Sequence, residues 1–222
     1  MRRRLRDRSE AGRLLARRLA AYARRADAIV LALPRGGVPL GDVIARTLAL
    51  PLDLLLVRKL GLPGFPEYAI GAVAADGACL LNTAELLQFG VPPELVEAEA
   101  ERERQEIARR ERRYRAGRPP PELRGKAVIL VDDGIATGAT MRLAIRIARQ
   151  AGAVRIVVAV PVAPPDECAA LQAEADELVC LRTPSPFYAV GHWYRDFEQV
   201  GDEQVAGLLQ RAWSGEAAPA QE

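Results

Sequence analysis

The chain has 222 residues, 50% of them hydrophobic, and it contains no apolar run long enough to cross a bilayer. Lysine and arginine together number 31 against 29 aspartates and glutamates, for a net charge of +2. This balance excludes a general electrostatic field that would attract nucleic acid or anionic lipid. We therefore expect no membrane partner, one main core with an appendage, and local anion sites only.

The N-terminal 25 residues are rich in arginine but lack the apolar region of a secretory signal. Leu15, Leu19 and Tyr22 are spaced i, i+4 and i+7, which predicts an amphipathic helix with arginines on its other faces. The three cysteines are far apart and lack C-x-x-C spacing, which argues against a disulfide framework or a zinc site. We interpret them as reduced, structural thiols of a cytoplasmic protein.

Short β-rich runs alternate with helical stretches along the chain. This alternation predicts an α/β fold with a largely parallel central sheet flanked by helices. The predicted strands are 28–33, 52–57, 127–131, 155–162 and 177–181. An insertion, 61–120, separates the second strand from the third. It contains a hairpin predicted to turn at Asp76 and Gly77, followed by a charged helix from Pro93 to about Arg115.

The first predicted strand runs into Pro34-Arg35-Gly36-Gly37 and then into a helix. The two glycines leave backbone N–H groups free beside the guanidinium of Arg35, an arrangement typical of an anion site. The second predicted strand ends with Arg58 and Lys59. Loops that follow parallel strands emerge at one edge of the sheet, so we expect these cations beside the anion site. The alternative is a surface pair at the end of a strand.

The third predicted strand leads into VILVDDGIATGAT, residues 128–140. Backbone N–H groups of such a turn point to the entrance of the following helix, where the helix dipole also favours an anion. Thr137 and Thr140 add hydroxyl donors, and Gly138 permits close approach to the backbone. The stretch therefore predicts a phosphate cup, although it lacks the G-x-x-x-x-G-K-[ST] spacing of an ATPase loop.

Two cups at one edge predict a ligand that is phosphorylated at two separated places. Asp132 and Asp133 would lie between the cups, where carboxylates repel phosphate but can bind sugar hydroxyls or a metal that bridges to them. The alternative is a solvated turn, which suits one aspartate better than two.

At this point the residues resemble a known family. VILVDDGIATGAT resembles the phosphoribosyl-pyrophosphate (PRPP) signature of type I phosphoribosyltransferases, and PRGGVPLG resembles their pyrophosphate loop. In combination with LLLVRKLG and EYAIGAVA, these segments resemble a bacterial group of phosphoribosyltransferases whose substrates are poorly defined. The resemblance covers residues from about 28 to 162 and implies the type I phosphoribosyltransferase fold with a small hood subdomain.

The resemblance implies transfer of the 5-phosphoribosyl group from PRPP to a nitrogenous acceptor, with release of pyrophosphate. Magnesium would bridge pyrophosphate and ribose oxygens, and Asp132 and Asp133 would hold it indirectly. The implied catalytic residues are Asp132, Asp133, Arg35 and Lys59. The implied PRPP-binding residues are Ala136, Thr137, Gly138, Ala139, Thr140, Gly36, Gly37 and Arg58.

The resemblance also sets expectations for the rest of the chain. The core would be residues 1–185, a hood segment 186–212 would follow, and 213–222 would form a disordered tail. A mobile loop, 61–68 and extending as far as 74, would close over the site. Ala136 stands where oxopurine-specific members carry an acid, so the loop is more similar to the adenine or orotate type. The family also implies a homodimer.

The aromatic residues of the hood segment have two interpretations. They could stack a planar acceptor or form the core of a small subdomain, and the second is the more common arrangement. We interpret His192, the only histidine, as structural. A second function stays open: a non-catalytic sensor of PRPP or nucleotides that binds nucleic acid through arginines of the first helix. The intact Arg35-Gly36-Gly37 loop and the near-neutral charge favour the enzyme, with no nucleic-acid partner.

Overall fold

The computed structural model describes residues 4–62, 64–74 and 78–215. The helices are α1 (Arg8–Arg18), α2 (Gly37–Leu48), α3 (Thr83–Phe89), α4 (Pro93–Arg115), α5 (Ala139–Gln150), α6 (Pro165–Glu174) and α7 (Asp202–Ser214). The strands are β1 (Ala28–Ala32), β2 (Leu52–Leu54), β3 (Val57–Leu62), β4 (Phe65–Ala74), β5 (Cys79–Leu81), β6 (Ala127–Val131), β7 (Arg155–Val162) and β8 (Glu177–Arg182).

Five strands form a parallel sheet in the order β2-β1-β6-β7-β8, which confirms the predicted α/β fold. Strands β1 and β6 are buried along their whole length. Alternate residues enter different cores: Val30 packs in the core that contains α1 and α2, whereas Leu31 packs in the core that contains α5. Helices cover both faces of the sheet, and this explains why these strands are continuous apolar runs.

The second predicted strand, 52–57, is wrong in its last part. Strand β2 ends at Leu54, and the N–H of Leu55 still donates to the carbonyl of Ala32 before the chain leaves the sheet. Val57 then begins β3, which belongs to a separate antiparallel sheet in the order β3-β4-β5. Both strand ends are buried, and the stretch from Leu54 to Val57 carries no polar residue to mark the crossing.

The insertion consists of this antiparallel sheet with α3 and α4. Helix α4 has the predicted bounds. The predicted turn at Asp76 and Gly77 lies outside the described residues, but β4 and β5 pair on either side of it. Within the predicted mobile loop, Gly61 and Leu62 end β3 and Phe65 begins β4, where Phe65 and Tyr68 are exposed. Closure of this segment over a ligand stays a prediction.

The N-terminal and C-terminal segments pack on the core. Leu15, Leu19 and Tyr22 are buried, as the spacing predicted. Helix α7 contacts α2 and α4, and the Trp213 indole N–H donates to the carbonyl of Leu52. Because α7 continues to Ser214, the predicted tail begins too early, and residues 216–222 lie outside the described part. No helix within the described ranges has the length and apolar character to cross a membrane.

A buried ion pair fastens the insertion to the central sheet. Arg115, at the end of α4, donates to Asp53 of β2 at 2.8 Å and to the carbonyl of Leu54 at 2.9 Å. Burial raises the pKa of Asp53, and the positive charge of Arg115 opposes that rise. The pair therefore matters for stability mainly because removal of either residue would leave the charge of the other buried without a partner.

We expect Arg115→Ala to lower the free energy of unfolding by about 3–5 kcal/mol, because it leaves the Asp53 carboxylate buried without its partner. Chemical denaturation followed by circular dichroism measures this change. Arg112→Ala is the matched control on an exposed position of the same helix and should change stability by less than about 0.5 kcal/mol. Equal stabilities of the two variants would contradict the assignment.

Candidate active site

The loop between β6 and α5 forms a small cup. A cavity of about 140 Å³ is lined by residues 134–141 together with Asp132. Gly138, the N-cap of α5, has a φ of +69°, a conformation that favours glycine. Helix α5 begins directly after it at Ala139, so its unpaired N–H groups and positive dipole end face the cavity. The sequence-predicted cup residues are thus brought together around one cavity of a size that accommodates an oxyanion.

Arg142 holds the cup in place, a role that the sequence did not predict. Its guanidinium donates to the carbonyl of Thr137 at 2.9 Å, to Glu167 at 2.7 Å and to Glu174 at 3.2 Å. A side chain at Gly138 would overlap the Glu167 carboxylate and so would displace the contacts between Arg142 and Glu167. These contacts fix the loop to α6 before any ligand binds.

The loop after β1 packs directly against the two acids. The N–H of Leu33 donates to the carbonyl of Val131, which extends the pairing of β1 with β6 to the base of both loops. A Cβ atom at Gly36 would overlap the Asp133 carboxylate, and one at Gly37 would lie 2.5 Å from the carbonyl oxygen of Val131. The peptide bond before Arg35 is cis. The structure therefore places the predicted pyrophosphate loop in contact with the predicted acids.

Asp133 has two partners that the sequence did not reveal. Arg8 of α1 donates to its Oδ2 from Nε at 2.9 Å and from Nη2 at 2.7 Å. The guanidinium of Arg8 also lies 4.0 Å from the ring centre of Phe197. The hydroxyl of Tyr194 donates to the carbonyl of Asp133 at 2.6 Å. A helix that precedes the sheet and the segment that follows it therefore both position this acid.

The electrostatics of the two acids are dominated by burial. Desolvation, followed by the charge of Asp133, raises the pKa of Asp132 well above its usual value. Desolvation also raises the pKa of Asp133, and the charge of Arg8 opposes this rise. Asp133 keeps 14% of its side chain exposed, so it remains open to a ligand from the crevice. Two adjacent carboxylates with one cation form a pair that a second positive charge would stabilise.

Arg35 lies at the same edge but is already paired. Its Nη1 lies 3.6 Å from Asp202 of α7, which also accepts a hydrogen bond from the Tyr114 hydroxyl at 2.6 Å. Arg109 approaches the other oxygen of Asp202 at 3.6 Å. This network holds the Arg35 guanidinium beside α7. A phosphate would compete with Asp202 for that guanidinium.

Arg58 and Lys59 do not lie at the end of a strand of the parallel sheet, because both belong to β3. Arg58 donates to Glu103 of α4, and Lys59 lines a separate cavity with acids of the same helix. Their predicted location is therefore wrong. The cause is the missed crossing between the two sheets, and their roles in binding and catalysis stay predictions.

The aromatic residues of the predicted hood segment have different environments. Tyr194 is buried, and its ring centroid lies 4.9 Å from that of Phe197. Tyr188 is exposed, and its ring centroid lies 6.0 Å from that of His192. A parallel bridge joins Leu5 to Tyr194, so the N-terminal segment is part of this subdomain. The core interpretation fits Tyr194, and the hydrogen bond to Asp133 gives it a further role.

Comparisons with known proteins agree with this geometry. The model of the family described as phosphoribosyl transferase domain matches residues 7–191. Two proteins of Mycobacterium tuberculosis, each named "Putative phosphoribosyl transferase", are 46% identical over 206 residues, which is 93% of this chain and 46% of each relative. The chain thus spans less than half the length of these relatives. The crystal structure of TT1426 from Thermus thermophilus is 46% identical with a TM-score of 0.78, over 93% of this chain and 97% of that one.

The raised pKa values predict that the acid pair destabilises the ligand-free fold at neutral pH. When the pKa of a carboxyl group is higher in the folded state than in the unfolded state, the free energy of unfolding falls as pH rises from the unfolded pKa to the folded pKa. Asp132→Asn removes one charge, so it should raise the melting temperature at pH 7. This gain should shrink as pH falls toward the ordinary aspartate pKa of about 3.9.

Thermal unfolding between about pH 4 and pH 8 tests this expectation. The exposed Glu122→Gln is the control for loss of a charge, and it should show no such gain. A stability difference between Asp132→Asn and the unaltered protein that does not change with pH would contradict the electrostatic origin.

Proposed function

The chain belongs to the phosphoribosyl transferase family, and from this premise we propose that it transfers the 5-phosphoribosyl group of PRPP to a nitrogenous acceptor and releases pyrophosphate. The observation that carries the proposal is the contact between two loops: the glycines after β1 lie against the acids after β6. One ligand with a phosphate in the cup and a pyrophosphate on the other loop would span this contact.

The residues of the chain have distinct roles in this proposal. The cup, Ala136–Thr140, holds the 5-phosphate through backbone N–H groups and hydroxyls. Asp132 and Asp133 accept hydrogen bonds from the ribose hydroxyls. In the transition state the ribose gains positive charge, which the carboxylates stabilise, while Arg35 and the N–H groups beside Gly36 and Gly37 stabilise the charge on the departing pyrophosphate. Arg8 opposes the rise in the pKa of Asp133 and orients its carboxylate.

The acid pair also suits Mg²⁺, since this ion is commonly bound through one or two carboxylates together with phosphate oxygens of a substrate. Among the described residues, no three His, Cys, Asp or Glu side chains cluster to form a complete metal site. Asp132 and Asp133 would therefore hold the ion together with PRPP oxygens, directly or through water. When bound, Mg²⁺ would stabilise the negative charge of pyrophosphate.

The acceptor would enter beside the segment that contains Tyr194 and Phe197. Ala136 is exposed in the cup and offers no carboxylate to an oxopurine, which supports an acceptor of the adenine or orotate type. Release of pyrophosphate from PRPP and Mg²⁺ should be assayed with purines, pyrimidines, pyridine carboxylates and simple amines. Release that depends on one acceptor identifies the substrate. Tight PRPP binding without release for any acceptor would overturn the transferase assignment.

We expect Asp133→Asn to reduce turnover on the order of 100-fold or more, because it removes a charge that stabilises the transition state. The acceptor-dependent pyrophosphate assay measures this loss, and circular dichroism confirms the fold. Glu122→Gln should retain full activity. Unchanged turnover of Asp133→Asn would remove Asp133 from the catalytic set.

The contact between the loops predicts a second loss of activity. Gly36→Ala places a methyl group where the Asp133 carboxylate lies, so it should displace that acid and lower kcat/KM on the order of 100-fold. Gly207→Ala is the matched control, since its added methyl group meets only an ordinary contact with Arg211 in helix α7. Full activity of Gly36→Ala would show that close packing of the loops is not required.

A further inference from the structure

A second and larger cavity lies beside the cup. Its volume is about 550 Å³, within the range of pockets that bind small molecules. It opens between the β4-β5 hairpin, the start of α3 and the first turns of α5. We call this cavity the hairpin pocket. Thr137 and Ala139 line both the hairpin pocket and the cup, so the two cavities share a wall. Tyr68 and Gly71 of its lining belong to the segment that we expect to close over the cup, but the proposed transfer reaction assigns no ligand to the hairpin pocket itself.

Glu85 gives the hairpin pocket an unused acceptor. Its Oε2 atom is buried, and it has no hydrogen-bond partner among the described residues. Leaving a buried polar atom unpaired costs free energy, and it costs more when the group is charged. Because Glu85 lines the pocket and is only partly buried as a residue, rotation of its side chain would offer this unpaired oxygen to an N–H donor supplied by a ligand.

Arg146 gives the same pocket an unused cation. Helix α5 carries three neighbouring arginines, of which Arg142 holds the cup and Arg149 pairs with Asp176. Arg146 lines the hairpin pocket and makes no ion pair within the described residues. A guanidinium in this position matches the geometry of a phosphate.

The remaining wall is apolar and aromatic. Tyr68 lines the pocket together with Leu80 and Leu81. Phe89 contacts the Tyr68 ring edge to face, with the centroids 5.3 Å apart and the planes at 76°, and this contact supports the ring from one side. Tyr68 is nevertheless 48% exposed, so much of its surface is available. Aromatic side chains stack favourably on nucleobases of any identity, because every base has a π face.

We propose that the hairpin pocket binds a nucleoside monophosphate. The base would stack on Tyr68 and donate N–H hydrogen bonds to Glu85, and the phosphate would pair with Arg146. Because Thr137 and Ala139 belong to both cavities, a nucleotide in the hairpin pocket would contact the outer side of the cup without filling it. The proposal depends on the geometry of this pocket and not on the transfer reaction.

Isothermal titration calorimetry of the purified chain with GMP, AMP, CMP and UMP tests this proposal. Each titration is repeated with excess ribose 5-phosphate, a ligand for the cup. At least one nucleotide should bind with 1:1 stoichiometry when excess ribose 5-phosphate occupies the cup. Glu85→Gln and Arg146→Ala should each weaken its affinity about 10- to 100-fold, as expected for loss of a hydrogen bond to a charged group.

Two variants serve as controls. Arg149→Ala removes an arginine from the same helix, and Glu122→Gln neutralises an exposed acid, and neither should change nucleotide affinity. Failure of every nucleotide to bind would overturn the proposal. Binding that ribose 5-phosphate abolishes, or that is equal in Glu85→Gln, Arg146→Ala and the controls, would overturn it as well. A negative pyrophosphate assay leaves these outcomes unchanged, since the titrations contain no PRPP.

Discussion

The close approach of two strand ends is the constraint on which the candidate site depends. Strands β1 and β6 are paired in register and buried along their length, so their C-terminal ends cannot separate. The glycines after β1 have no side chain that would keep their own loop away from Asp133. A rigid hydrophobic core thus fixes the separation of two anion-binding loops. Binding residues that lie on loops gain precision when a scaffold of this kind supports them.

The same packing creates an electrostatic cost. Two carboxylates are placed side by side where desolvation raises the pKa of both. One cation, Arg8, reaches Asp133 from α1, and no equivalent ion pair to Asp132 is present within the described ranges. A fold selected for stability alone would avoid this arrangement. The cost is consistent with a site that a ligand completes, because ribose hydroxyls and a bound cation would supply the hydrogen-bond donors and the positive charge that the two acids lack.

Much of this arrangement could be predicted from the sequence, because it depends on local patterns. The apolar runs before Arg35 and Asp132 identified two buried strands, and the glycines after them identified two loops. Loops that follow parallel strands emerge at the same edge of the sheet, and this rule predicted that the two loops lie close together. The crossing between Leu54 and Val57 could not be predicted, since a chain that passes from one buried sheet to another keeps its apolar pattern. The error then moved Arg58 and Lys59 to the wrong sheet.

The missed partners of the site have a different cause. Arg8, Tyr194 and Asp202 lie far from the two loops in sequence, and their types are common on protein surfaces. Only the packing of α1 and α7 on the sheet reveals what they contact. These partners also have a shared consequence. Arg8 holds the acid that would bind ribose, and Asp202 holds the arginine that would bind pyrophosphate, so each half of the site is already paired in the ligand-free state. A pyrophosphate would compete with Asp202 for Arg35, whereas Arg8 would keep Asp133 in place, so both terminal helices are coupled to the centre of the site.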